Sequence, residues 1–263
     1  MSRTTSISAF CCAPTRRGRV SGTVAEEFDP VRPDGLRPGC VHADITPALA
    51  HVRDQGVNFA NSHSVFPTLT MVNAAAMGTS HFPGETRNFA NTIYTGFAVQ
   101  SANGSVAPMI ENDAMLAEIN DHFCANYLNE ESVLAAAPNQ GFLTAAVGKV
   151  WSCRSLRCYR AIGRQTIVVD DLTGRPGGVP LSDHVLELLQ AANLPNQAPT
   201  RGNNAKVGDM KTPGTSTANI DQQRYFVEVA TKVILPIFKA SGKPFVLIFW
   251  SRDPARHPTK SRR

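Results

Sequence analysis

Three side chains in this sequence are of types, and at places, that can do chemistry. Asp34 stands in Pro33-Asp-Gly-Leu-Arg-Pro38, Thr70 in Phe66-Pro-Thr-Leu-Thr-Met-Val-Asn73, and Asn91 in Asn88-Phe-Ala-Asn-Thr92. A carboxylate can hold a divalent metal. A hydroxyl at a helix N-terminus can attack phosphorus while the helix amides receive the phosphate oxygens. An asparagine amide can donate to the same oxygens as charge builds on them. Each residue also has a plainer reading. Asp34-Gly35 suits a turn, Thr70 suits a helix cap, and Asn91 suits a loop amide.

Such groups must be positioned by regular elements, and the chain after Asp34 is orderly. Ile45 to Gln55 reads as a short helix entered at Thr46-Pro47, with Ala48, Leu49 and Val52 on one face and Gly56 as its stop. Val57-Asn-Phe-Ala60 alternates as a strand would. Thr70 to Gly78 is expected to be a helix of small residues (Asn73, Ala74, Ala75, Ala76) that packs closely on a sheet. Asp113 to Leu128 suits a longer helix, with Met115, Leu116, Ile119, Phe123 and Tyr127 on one side.

Strands are expected at Gly141–Val147, Thr166–Asp170 and Pro244–Trp250, and helices at Ser182–Ala192 and Asp221–Gly242, the last with Pro236 inside it. Asn193 to Asn219 is a long polar loop with Gly and Pro. Apolar strands alternating with helices predict an α/β fold around a covered, largely parallel sheet. Strand ends and helix starts, where Asp34, Thr70 and Asn91 fall, are where such folds keep reactive groups.

Charge excludes one class of function. The net charge is +5, but residues 1–20, 151–164 and 252–263 hold 13 of the 26 basic residues and one acid, Asp253. The rest of the chain has 13 basic against 20 acidic residues, so no basic face is spread over the fold as nucleic-acid binding would require. Four of the six cysteines (Cys11, Cys12, Cys153, Cys158) sit in the same windows. Cys153-x4-Cys158 has no second Cys or His pair beside it, so neither a zinc site nor a disulfide framework is expected. No apolar run reaches a membrane span, and the arginines at 3, 16, 17 and 19 interrupt any export signal, leaving localisation unknown. Oligomeric state is not legible.

The motifs themselves resemble a known family. Pro33-Asp-Gly-Leu-Arg-Pro38, Ile45-Thr-Pro-Ala-Leu-Ala50, Gly56-Val-Asn-Phe-Ala60, Phe66-Pro-Thr-Leu-Thr70 and Phe82-Pro-Gly-Glu-Thr86 through Asn91 are similar to the type I phosphodiesterase/nucleotide pyrophosphatase family of the alkaline phosphatase superfamily. The intervals of 36 residues from Asp34 to Thr70 and 21 from Thr70 to Asn91 agree with that pattern. Gly141 to Lys149 looks like a strand and Gly-Lys element of the superfamily. The resemblance covers about residues 34–149 and 165–253. It implies an alkaline-phosphatase-like central sheet with helices on both faces, a phosphate ester substrate, and a two-zinc mechanism. Asp34 and Thr70 would share one metal, Thr70 would attack phosphorus, and Asn91 would stabilise the oxyanion.

The chain also departs from the pattern. The family's further ligands are an Asp-x3-His pair, an Asp-His pair and a final His. Only Asp253 and His257 reproduce the first spacing, within a short basic tail. Upstream of Asp34 the family has an apolar strand. Here Glu26-Glu-Phe-Asp-Pro-Val-Arg-Pro33 stands instead, and two prolines make a strand implausible. The Arg-, Cys- and Ser-rich islands resemble the product of a shifted reading frame.

The expectation is therefore a truncated, locally scrambled member whose C-terminal part is missing. An irregular segment (1–33) would precede a partial domain (34–253, disturbed at 151–164) and a basic tail (254–263). Residues 1–25, 151–164 and 254–263 should pack poorly, and a sheet ending at Trp250 should expose an edge. Activity should be slight. The alternative is a non-catalytic remnant or an anion-binding protein. A sulfatase is disfavoured because that branch uses a modified Cys or Ser, which Thr70 cannot become.

Overall fold

A computed structural model describes residues 27–28, 30–33, 36, 38–124, 126–148, 166–176, 178–200 and 218–251. The windows 1–25, 151–164 and 254–263 therefore lie outside the described residues, as do Asp34, Arg37, Lys149, Asp253 and His257.

Among the described residues five parallel strands form the sheet: β1 (Glu27–Phe28), β2 (Val31–Pro33), β3 (Leu143–Gly148), β4 (Thr166–Val169) and β5 (Phe245–Ser251). Their order is β1-β5-β3-β4, with β2 also on β5. Helices intervene: α1 (Pro47–Gln55), α2 (Thr70–Thr79), α3 (Pro83–Thr86), α4 (Asp113–His122), α5 (Val133–Asn139), α6 (Asp183–Ala191), α7 (Ile220–Glu228) and α8 (Leu235–Ser241). Among the described residues no helix is long and apolar enough to cross a membrane.

Period-two alternation on the strands sorts the core into two layers. Ala145 and Val147 of β3, with Phe245 and Leu247 of β5, pack with Val185, Leu189, Tyr225, Phe226, Val233 and Phe238 from α6, α7, α8 and the turn between the last two. Their neighbours Ala146 and Val246, with Val168 of β4, pack instead with Ala75 of α2 and with Leu134 and Ala137 of α5. Helices thus cover both faces, which is why these strands read as continuous apolar runs. Between β3 and β4, Thr144 and Thr166 are register partners, and their buried hydroxyls lie 2.6 Å apart.

The strand before Asp34 exists, contrary to the expectation from its prolines. Val31, Arg32 and Pro33 pair in parallel register with Phe249, Trp250 and Ser251, and Phe249 N–H donates to Pro30 O at 3.0 Å. The physical reason is position. On an edge strand only one side must supply donors, so proline is tolerated there. The same pairing corrects the expected open edge at Trp250: β5 lies between β1/β2 and β3.

Other elements differ in extent. Residues 57–60 are exposed loop, because an alternating pattern with no partner strand gains nothing from extension. Helix α4 stops at His122, not Leu128. Cys124 takes a left-handed φ of 53°, and Asn120 Oδ1 accepts from Tyr127 N–H at 3.4 Å. Helix α5, capped by Ser132 Oγ on Ala135 N–H at 3.2 Å, falls where no helix was expected. The helical run from Ile220 to Ser241 passes through a π segment, Val229–Ile234, just before Pro236. Proline lacks the N–H and crowds the preceding turn, and a wider turn relieves both.

Candidate active site

Thr70 is the first residue of α2 and is half-buried. The residue before it, Leu69, is extended (φ −118°, ψ 153°) and has no side-chain oxygen with which to cap the helix. The first-turn amides therefore need acceptors from elsewhere. Asn91 supplies one: its Oδ1 accepts from Met71 N–H at 3.0 Å across 20 residues of sequence. Asn88 Nδ2 donates to Met71 O at 3.0 Å, so the residue next to Thr70 is gripped at both its amide and its carbonyl. The Met71 side chain is wholly buried with Val99, Ile110, Leu116 and Ile119.

A third asparagine fixes the approach to Thr70. Asn73 is 7% exposed, and its Oδ1 accepts from Val65 N–H at 2.9 Å. Its Nδ2 faces Val65 O at 3.3 Å, Pro67 O at 3.4 Å and Leu69 O at 3.0 Å. The loop that delivers Thr70 is thereby tied to the helix that Thr70 opens. Asparagine is a poor helix former because its side chain competes for backbone groups. At Asn73 that competition is what closes the loop.

Asn91 is itself anchored. Its Nδ2 donates to Glu111 Oε1 at 2.6 Å, and its carbonyl accepts from Ile110 N–H at 2.9 Å. Glu111 is 9% exposed. The ladder between the two segments continues in the Thr92–Met109 bridge.

Of the residues singled out in the sequence, Thr70 and Asn91 meet at the first turn of α2. The Asn91 amide bonds to the Met71 N–H and to Glu111, not to the Thr70 hydroxyl. Asp34 lies outside the described residues, one position after β2, whose last residue Pro33 pairs with Ser251. Glu111, Asn73 and Asn88 were missed as contributors. An asparagine inside a helix was the available signal for Asn73, whereas the contacts of Asn88 and Glu111 are long-range and leave no local mark.

Zinc sites take about four N, S or O ligands. Among the described residues no group of three or more His, Cys, Asp or Glu side chains could hold a metal ion. The two described cysteines, Cys40 and Cys124, are free thiols. What the first turn of α2 does offer is an anion-facing end. The helix dipole is positive there, and beyond the Met71 amide taken by Asn91, the Thr70 and Val72 amides have no acceptor among the described residues.

A family model described as Type I phosphodiesterase / nucleotide pyrophosphatase matches residues 31–227, a span that opens with β2 and contains Thr70, Asn91 and Glu111. The match covers more than half of the chain, and the protein belongs to that family. Comparisons with curated proteins and with solved structures gave no match.

Proposed function

We propose that this chain acts on phosphate esters as a phosphodiesterase or nucleotide pyrophosphatase, with Thr70 as the attacking hydroxyl and Asn91 as a phosphate-binding amide. One observation supports this above the others: Asn91 reaches across 20 residues to the first turn of the helix that Thr70 opens. In the reaction the Thr70 Oγ–H proton leaves to solvent as the Oγ–P bond forms and the P–O bond to the leaving group breaks; a water oxygen then bonds to phosphorus, the Oγ–P bond breaks, and a proton of that water returns to Oγ. The Thr70 and Val72 amides and the second Asn91 N–H would donate to phosphate oxygens as charge builds. Family membership brings an expectation of metal dependence, and Asp34 with Thr70 is the donor pair proposed to meet a zinc ion. Two oxygens alone are fewer than the roughly four ligands that a zinc site takes.

A second reading rests on the helix terminus itself: a protein that binds phosphate at the α2 N-terminus without turning it over. Hydrolysis of an aryl phosphodiester by the purified chain, with and without added zinc, separates the two. The Thr70→Ala variant serves as background. Turnover lost in Thr70→Ala supports the enzyme. Identical rates for the two proteins would overturn it and leave the binding reading.

A further inference from the structure

We infer that Glu111 is a positioning residue that sets which end of the Asn91 amide faces the helix terminus. The inference rests on the proposed reading of Asn91 as the phosphate-binding amide. An asparagine amide has two ends of nearly equal shape and opposite chemistry: one accepts two hydrogen bonds and the other donates two. At the mouth of α2 the choice decides the function. With Oδ1 inward, the Met71 N–H is satisfied and the amino group stays on the outer side. Reversed, two donors would confront each other and an acceptor would face the incoming anion.

An ionised carboxylate has no proton to donate, so it tolerates only the amino end beside it. Glu111 Oε1 accepts from Asn91 Nδ2 at 2.6 Å, and the Glu111 side chain is 9% exposed. Oδ1 is meanwhile committed to the Met71 N–H at 3.0 Å. The Ile110–Asn91 backbone bond and the Thr92–Met109 bridge hold the two segments in register, so the carboxylate cannot drift from the amide it orients. One of the two Nδ2 hydrogens is used by Glu111. The other has no acceptor among the described residues and remains for a phosphate oxygen.

The residue type is informative. Glutamine at 111 could accept from Asn91 equally well in geometry, and it would place no negative charge beside an anion site. It could also turn its own amide and permit the reversed arrangement. A carboxylate costs some attraction for the anion and removes that alternative.

The test reads orientation directly, by amide exchange of the full-length ¹⁵N-labelled chain. In Glu111→Ala the Met71 amide should exchange about tenfold faster, the loss expected for one hydrogen bond, while Ala75 in the same helix is unchanged. Glu111→Gln should stay within about threefold of the parent, since the acceptor is retained. Unchanged Met71 exchange in Glu111→Ala, or equal acceleration along all of α2, would overturn the assignment. Should Glu111→Ala not fold, the Asn91 side-chain amide protons in Glu111→Gln decide it. Weakening a charged acceptor to a neutral one should move one of them upfield, and an unmoved pair would overturn the inference. None of these signals requires turnover, so a failed hydrolysis assay would remove the enzymatic reading without touching them.

Discussion

The two ends of this structure's packing are held by different forces. On one face of the sheet, Phe226, Phe245, Ile234 and Leu189 are buried to 1% exposure or less among α6, α7 and α8. Around Thr70, by contrast, the described geometry is fixed by three side-chain amides and a carboxylate: Asn73 on the loop, Asn88 and Asn91 on Met71, and Glu111 on Asn91. Apolar burial is strong, additive and indifferent to direction. Hydrogen bonds are individually modest but fix atoms to within tenths of an ångström. The fold stands on the first kind of interaction, and the site borrows the second. Substitutions should therefore separate into those that unfold the chain and those that misplace the first turn of α2.

The largest effect should come from the apolar face. Phe226→Ala removes a fully buried ring and should cost about 3–5 kcal/mol, measured by urea unfolding. If the comparison holds, the surviving folded fraction keeps the protected Met71 amide. Gly148→Ala probes the sheet itself. Gly148 has φ of 106°, and an added Cβ would stand 2.1 Å from Trp250 O on β5. Steric overlap in a close-packed strand pair, on top of an unfavourable backbone, should cost about 2–4 kcal/mol. A cost below about 1 kcal/mol in the same titration would mean that the β3–β5 contact is looser than described.

Smaller and more local effects belong to the site. Asn73→Ala leaves Val65 N–H and Val65 O without their side-chain partner and should destabilise by about 1–3 kcal/mol. Exchange at Val65 should accelerate far more than exchange at Phe226. A uniform change would erase the distinction between the two regions.

The smallest expected effect is electrostatic. Glu118 accepts from Ser101 N–H at 2.8 Å, Ser101 Oγ at 2.7 Å and Gln100 N–H at 2.6 Å. Those bonds, the Ser101 backbone bond foremost, hold its carboxyl below the ordinary glutamate range. Because the folded form binds the proton less readily than the unfolded one, the contribution is complete above the ordinary glutamate range. It is lost as pH falls through the lower folded value. Glu118→Gln should flatten that acid limb slightly, and an unchanged acid limb would remove Glu118 from the account. Solvent exposure keeps the effect small.

The local elements were largely legible because their signals are local. Thr70 opening a helix of small residues, Ser182 capping α6 and the apolar β3, β4 and β5 follow from propensity, caps and period within a few neighbours. The interval from Thr70 to Asn91 carried meaning only through the family resemblance. The failures are long-range. Pro30 and Pro33 argued against a strand when judged as isolated residues. Pairing with β5, more than 200 residues on, turned them into an acceptable edge. Val57 to Ala60 had the period of a strand and no partner to make it one.

Residue types and spacing by themselves determined an α/β chain of this family, with a hydroxyl at a helix start and an asparagine in step with it. Only the tertiary structure decided that β5 is interior, that Asn91 turns its oxygen to Met71, and that Glu111 receives the other end. The reason is that helices and strands are specified by neighbours in sequence. The orientation of an amide is specified by whichever charged or polar groups the folded chain brings within about 3 Å.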